Sequence, residues 1–319
     1  MAPVRSRSFL KLLLVTVTGG LGWLVMAPFA ALFHRRVRMA TIPLIGIAIG
    51  VALFVNLRPL PPSPPDSLTP GDLRAIALAV EARLKIGGPN FQHTARIHRY
   101  VQPLAAAIGA NVSAVRAAAL LHDVTKENTG DSKTVFCQHG ADGAQVASSV
   151  LNPLGKSPAF VERVADSIRE HMGPTGFNWR QLRSRFMSRY CDGVKFPAPA
   201  SREAQVLFDA DMLDLMTVNG VAKVVRLRQS DKKAFGEETI RQAALDGKDS
   251  AYNSVLEARQ TLITRPARAC GADLTAHVRA FLDGIDWSTV TDVDGFDRAV
   301  AAYLARAALP SCLPQPPPS

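Results

Sequence analysis

At 319 residues and a net charge of +10, the chain is long enough for one sizeable domain with appendages and basic enough to raise the question of nucleic acid. The charge is uneven, however. Residues 1–58 carry Arg5, Arg7, Lys11, Arg35, Arg36, Arg38 and Arg58 and no acid, which leaves +3 for everything after them. The basicity belongs to the N-terminal region and speaks for an anionic membrane surface before nucleic acid, so no nucleic-acid partner is expected.

Two apolar runs open the chain, residues 9–33 and 39–57, separated by the basic turn His34-Arg35-Arg36-Val37-Arg38. Each is long enough to cross a bilayer, and together they predict a transmembrane helical hairpin over 1–58. The alternative for the first run is a signal peptide with a weak cleavage site at Val25-Met26-Ala27. A hairpin leaves both ends on one side. The flanks carry four basic residues and the turn three arginines, so the balance narrowly puts the large domain in the cytoplasm of a plasma or inner membrane. Residues 59–70 are proline-rich and read as an extended, semi-rigid linker. The last residues, Pro314-Gln315-Pro316-Pro317-Pro318-Ser319, read as a disordered tail.

From Asp72 onward the periodicity is helical and no strand alternation stands out. Helices are expected from Asp72 to about Lys85, over 90–108 and 112–123, from Ala141 to Leu151, from Ser157-Pro158 to His171, over 180–190, over 201–227 as one helix or two broken near Asn219-Gly220, and over 237–244, 251–263, 272–283 and 295–308. The fold class is therefore all-α: a helical bundle over 71–286 behind the hairpin, then a C-terminal helix and tail over 287–319. Four cysteines stand at 137, 191, 270 and 312 with no CxxC, which argues against a cysteine-based zinc site. Free thiols in a reducing compartment are the default. Cys270 and Cys312 would pair only in an oxidising one.

Five of the seven histidines fall between residues 93 and 171. His93 lies on the apolar stripe of Ile97, Tyr100, Leu104 and Ile108, whereas His98 is rotated off it, so His93 is the better inward candidate. His122 and Asp123 end the small, apolar run Ala117-Ala118-Ala119-Leu120-Leu121, where an imidazole and a carboxylate need a partner such as a metal ion. His139 precedes Gly140-Ala141 and would point from a helix N-terminus. His171 continues the stripe of Phe160, Val164 and Ile168. Asp209 and Asp211 lie inside one apolar helix, and periodicity does not separate them. His277 and His34 are given no role in the site.

The order of these residues resembles the HD-domain metal-dependent phosphohydrolase superfamily. His93-Thr94-Ala95-Arg96-Ile97 looks like its opening His-x-x-Arg-Val, and Ala118 to Asp123 like its central motif. His139 and His171 look like the extra histidines of its dinuclear members, and Asp209-Ala210-Asp211 like the closing Asp-x-Asp, whose second Asp is the ligand. The resemblance implies one metal on His93, His122, Asp123 and Asp211, and a second on His139 and His171 with Asp123 bridging. It makes Lys126 of His-Asp-x-x-Lys a phosphate-binding group. The cofactor would be one or two divalent ions among Mn, Fe, Co, Ni and Zn. The Gly-Tyr-Pro signature and His-His pair of the cyclic-dinucleotide branch are missing. The His-Asp-x-x-Lys-Glu run is similar to the dinucleoside tetraphosphate hydrolase branch, but the closing motif is not. The expectation is a membrane-anchored hydrolase of a phosphate ester or anhydride, with a small phosphorylated substrate of nucleotide type. The alternatives are a non-catalytic membrane-tethered sensor or scaffold that binds a nucleotide or metal, and an oxidative di-iron enzyme on the same ligands.

Overall fold

The structure is a computed structural model that describes residues 66–128, 132–173, 191, 196–230, 236–247, 250–307, 310 and 312. The apolar runs at 9–33 and 39–57, the linker to residue 65, the basic segment 180–190 and the tail after 312 lie outside the described residues. Among the described residues no helix is long and apolar enough to cross a membrane.

All regular elements in the described residues are helical: α1 (Pro70–Glu81), α2 (Pro89–Ile108), α3 (Val112–Leu121), α4 (Ser132–Leu151), α5 (Pro158–Glu170), α6 (Arg202–Leu215), α7 (Val218–Ser230), α8 (Ala251–Thr261), α9 (Arg265–Asp283) and α10 (Val293–Leu304). A 3-10 turn (Asn152–Leu154) and a π turn (Gln242–Asp246) complete the set. The boundaries follow cap chemistry. Side chains of Thr69, Asn111, Ser157, Ser201, Ser250, Thr264 and Asp292 each accept from a backbone amide of the first turn. Proline opens α1, α2, α5 and α9, where its missing N–H is no loss.

Some expected boundaries move. Asp72 is not the cap of α1 but the third residue of a capping box closed by Thr69. α4 begins seven residues before His139, so His139 sits inside a helix and not at its N-terminus. The 201–227 stretch is two helices that break at Met216-Thr217, and Gly220 lies within the second. α9 starts at Arg265, earlier than the apolar pattern suggests, because Thr264 caps it.

α2, α3, α5 and α6 pack on one another, α4 lies on α3 and α5, and α7 to α9 cover the far side of α6. One core joins them, filled at its centre by Ile97, Leu121, Phe160, Ile168, Leu207 and Phe208, all fully buried. α10 belongs to the same core through fully buried Phe296, on which Trp287 stacks. All four cysteines are paired: Cys137 with Cys191 and Cys270 with Cys312, at Cα separations of 5.5 and 5.3 Å. The free-thiol default is thereby corrected. Neither pairing is local, and both rest on helix packing that no spacing rule encodes.

The start of the domain is pinned by a buried ion pair. The Lys156 ammonium, with no exposed side-chain surface, donates to Asp72 at 2.7 Å and to the Ser67 carbonyl at 2.7 Å. Burial raises the Asp72 pKa, but hydrogen bonds from Lys156 and Thr69 outweigh it and the net shift is downward. A depressed carboxylate contributes stability above its ordinary pKa of about 4 and loses it as pH falls through the lowered value. Asp72→Ala strands the lysine and is expected to cost about 3 kcal/mol or more in urea denaturation, whereas Asp72→Leu with Lys156→Met recovers most of it. Equal losses in the single and double variants would contradict this.

Candidate metal centre

Two helices stop where the chemistry begins. His122 is the C-cap of α3 and His171 the C-cap of α5. Their Nδ1 atoms donate to carbonyls three residues back, His122 to Ala119 at 2.9 Å and His171 to Ile168 at 2.5 Å. His139 does the same within α4, to Phe136 at 2.5 Å. His93, on α2, instead donates from Nδ1 to the Asp214 carboxylate at 2.7 Å, and Arg96 holds that carboxylate with two bonds of 2.5 and 2.9 Å. A carbonyl or an ionised carboxylate can only accept, so each neutral ring carries its proton on Nδ1 and turns an Nε2 lone pair inward.

Those lone pairs meet head-on. Nε2 of His93 lies 3.3 Å from Nε2 of His122, and Nε2 of His139 lies 3.2 Å from Nε2 of His171. Asp123 stands between the pairs. Its Oδ2 is 3.4 Å from His93, and its Oδ1 is 3.5, 3.4 and 3.9 Å from His122, His139 and His171. Oδ1 is buried and accepts no hydrogen bond among the described residues. Facing lone pairs around an orphaned carboxylate oxygen repel unless a cation sits among them, and neutral imidazole with carboxylate is a donor set for first-row divalent ions. Two groups have ligand atoms within 4.8 Å of one another: His93, His122 and Asp123, and Asp123, His139 and His171.

Small residues let the helices approach. A Cβ on Gly143 would stand 3.0 Å from the His122 carbonyl oxygen and 3.2 Å from the Ile168 side chain, and one on Gly140 would stand 3.3 Å from the Ile168 carbonyl oxygen. α4 can thus press against the ends of α3 and α5 and bring His139 to His171. Outside this contact, Cys137, Cys191 and Met172 form a small apolar cluster with Phe136 and Phe196.

The sequence-predicted residues separate as follows. His93, His122, Asp123, His139 and His171 converge. Asp211 joins them at the rim, its Oδ1 3.1 Å from His93 Nε2. Lys126 Nζ lies 2.6 Å from Asp123 Oδ2, with 17% of its side chain exposed. His98 faces away, where its Nε2 accepts from Arg116 at 3.2 Å. Asp209 serves the fold: it accepts from the amides of Ile263 and Thr264 at 2.7 and 2.8 Å, and burial pushes its pKa up to about 6. Two participants had been given no role, Arg96 and Asp214. Their signal was the i, i+3 step, which puts Arg96 beside His93 and Asp214 beside Asp211 on one helix face.

Electrostatics keep most of the site ready for a cation. Burial pushes His122 down to about 4, and burial with the nearby Lys126 charge holds His139 well below its usual range. His171 is lowered by burial as well. His93 is the exception: burial lowers it, but hydrogen bonds to Asp211 and Asp214 raise it overall. Burial raises the Asp214 carboxyl, yet bonds from His93 and Arg96 bring it down to about 2.

Residues 90–216 match the HD domain family model. That stretch is similar to an HD domain. Three solved structures resemble it: a predicted HD superfamily hydrolase from an uncultured Thermotogales bacterium (22% identity, 66% of this chain and 89% of that one, TM-score 0.42), a Lactobacillus plantarum protein (23%, 68% and 95%, 0.43), and the HD domain of the Listeria monocytogenes phosphodiesterase PgpH (16%, 66% and 99%, 0.34). No curated protein matches the sequence. HD domains bind divalent metals, and the two clusters lie inside the matched range.

The wiring of these histidines can be tested in two ways. Asp214→Asn keeps an acceptor for the His93 ring but removes the charge that raises its basicity, and is expected to weaken Mn²⁺ binding by about 10–100-fold, read by calorimetry, with the fold intact by circular dichroism. A proton on His93 Nε2 competes with a cation there, and the raised His93 pKa carries that competition to higher pH than an ordinary imidazole would. Mn²⁺ affinity should therefore rise with pH through the titration of His93, with proton release measurable in buffers of different ionisation heat. Binding without proton release would contradict it.

Proposed function

We propose that the chain is a membrane-anchored, metal-dependent phosphohydrolase that cleaves a phosphate ester or anhydride of a small, nucleotide-type substrate. The observation that carries this reading is the pair of facing imidazole couples around the unsatisfied Asp123 oxygen. His93, His122, Asp123 and Asp211 would hold one divalent ion, and Asp123, His139 and His171 a second. Ions bound there would supply Lewis acidity toward water and toward a phosphoryl oxygen.

The protein's own part is positioning. Asp214 and Arg96 lock the His93 tautomer, and the carbonyls of residues 119, 136 and 168 lock the other three rings. Lys126 holds the second oxygen of Asp123 and, partly exposed, offers N–H donors to a phosphate oxygen.

The apolar runs at 9–33 and 39–57 support anchoring as a hairpin in the lipid bilayer. Flanking charge favours a cytoplasmic domain by one residue. The two disulfides favour an oxidising compartment and are the stronger argument, so we place the domain on that side.

The full chain in detergent is the material for the test. Bound metal is counted, and phosphate release is followed on a nucleotide panel with Mn²⁺. His122→Ala and Asp123→Ala should each lose metal, and activity by more than the roughly 10–100-fold that outer-shell changes cost; His98→Ala should keep both. Metal without turnover on any substrate would favour the sensor reading. Maleimide should label no cysteine of the unreduced, denatured chain taken from cells, and labelling of all four would put the domain in the reducing cytosol.

A further inference from the structure

The four histidines do not stand on equal ground. His93 and His122 belong to α2 and α3, whose Ile97, Val101, Val115 and Leu121 are fully buried in the main core, and His171 ends α5, which is anchored there by Phe160, Val164 and Ile168. The described residues that α4 buries in that core are Ala144, Ala147 and Leu151, all beyond Gly143. The turn that carries His139 comes before them. Its apolar side belongs to the separate cluster of Cys137, Met172 and Cys191, with Phe136 and Phe196 packed against it. Thr125 adds one tie to this turn, a bond of 3.3 Å from its hydroxyl to the His139 carbonyl.

The chain that returns toward α6 is clamped just past His171. A Cβ on Gly173 would collide with the Pro197 carbonyl and stand 2.8 Å from the Ala198 Cα, so a close crossing is built there, and the Ala200 amide donates to Glu170 at 2.8 Å. Cys191, on this returning chain, is bonded to Cys137, two residues before His139. One disulfide thus joins the turn that carries His139 to chain fastened at the end of α5. The two Nε2 lone pairs face each other at 3.2 Å and must be held together against their repulsion before a cation arrives. A satellite of three buried side chains, two of them cysteines, buries little apolar surface with which to do so. The covalent link supplies what that packing lacks. The His93–His122 couple has no comparable need, because both helices are seated in the main core and Asp214 fixes the His93 ring.

Resting on the two-ion form of the phosphohydrolase reading, we infer that the Cys137–Cys191 disulfide is a positioning link for the second cation. Closed, it sets His139 against His171 for the ion shared with Asp123. Open, it leaves the centre with the ion of the His93–His122 couple alone. The number of ions bound then follows the oxidation state of this cysteine pair. Cys270–Cys312, which packs on the main core, has no such effect.

The test uses the full chain in detergent, with Mn²⁺ alone as the probe. In the wild type, calorimetry should resolve two Mn²⁺ sites, and the loaded protein should give the exchange-coupled electron paramagnetic resonance spectrum of neighbouring ions. Cys137→Ala with Cys191→Ala should weaken the second site by about 10–100-fold, leave the first unchanged and give the spectrum of an isolated ion. Cys270→Ala with Cys312→Ala should match the wild type. That control chain keeps Cys137–Cys191 as its disulfide and provides a reversible version of the experiment. A phosphine reduces the bond to two thiols, taking oxygen from water to become its oxide, and should release the second ion; reoxidation should restore it. Two full-strength sites after loss of the bond, by either route, would overturn the inference and leave the hydrolase reading standing. Loss of both ions in the Cys137→Ala, Cys191→Ala chain would overturn it too, because the link would then support the whole fold. A wild type that binds fewer than two ions would remove the two-ion reading instead.

Discussion

Asp123 is a carboxylate with no exposed surface, placed just past the end of α3 and shared between two pairs of imidazoles. Ionised oxygens in that position cost several kcal/mol unless cations surround them, and Lys126 satisfies only one of the two. The rest of the domain can be understood as support for that residue. α3 ends early so that His122 and Asp123 leave the helix together. α5 ends at the same level to present His171. The glycines of α4 remove the bulk that would hold His139 away.

The arrangement also sets two helix C-termini toward the site. The carbonyl end of a helix carries a partial negative charge, and here carbonyls of the last turns accept the Nδ1 protons of His122 and His171. Each ring thereby becomes a better donor at Nε2, while the helix ends favour positive charge nearby. Without a cation the same features oppose an approaching phosphate. Metal and substrate are thus coupled in their electrostatics, and the partly exposed Lys126 extends that coupling outward.

Much of this was legible in the sequence. Helical phase alone chose His93 over His98, because a buried ligand must share the stripe of Ile97 and Leu104. What failed to show was long-range. Asp209 and Asp211 are both acids in an apolar helix, and only the amides of Ile263 and Thr264, some 54 residues away, reveal that Asp209 is a structural cap. His139 was expected at a helix N-terminus, yet it lies well inside α4 with Gly140 and Gly143, whose close packing on α3 and α5 repays a weak propensity. Pairing of Cys137 with Cys191 was equally hidden, because it depends on where α4 rests.

That last bond divides the ligands unequally. The covalent ring closed by Cys137 and Cys191 contains His139 and His171, but not His93, His122, Asp123 or Asp211. A closure of this length restricts the unfolded chain by about 4 kcal/mol in the loop-entropy picture. One histidine couple is therefore held near its partner by covalent connectivity, whereas the other is assembled only by the packing of α2, α3 and α6. When the domain breathes, the two halves of the centre do not loosen alike: the His93–His122 half opens with the helices, and the His139–His171 half remains leashed.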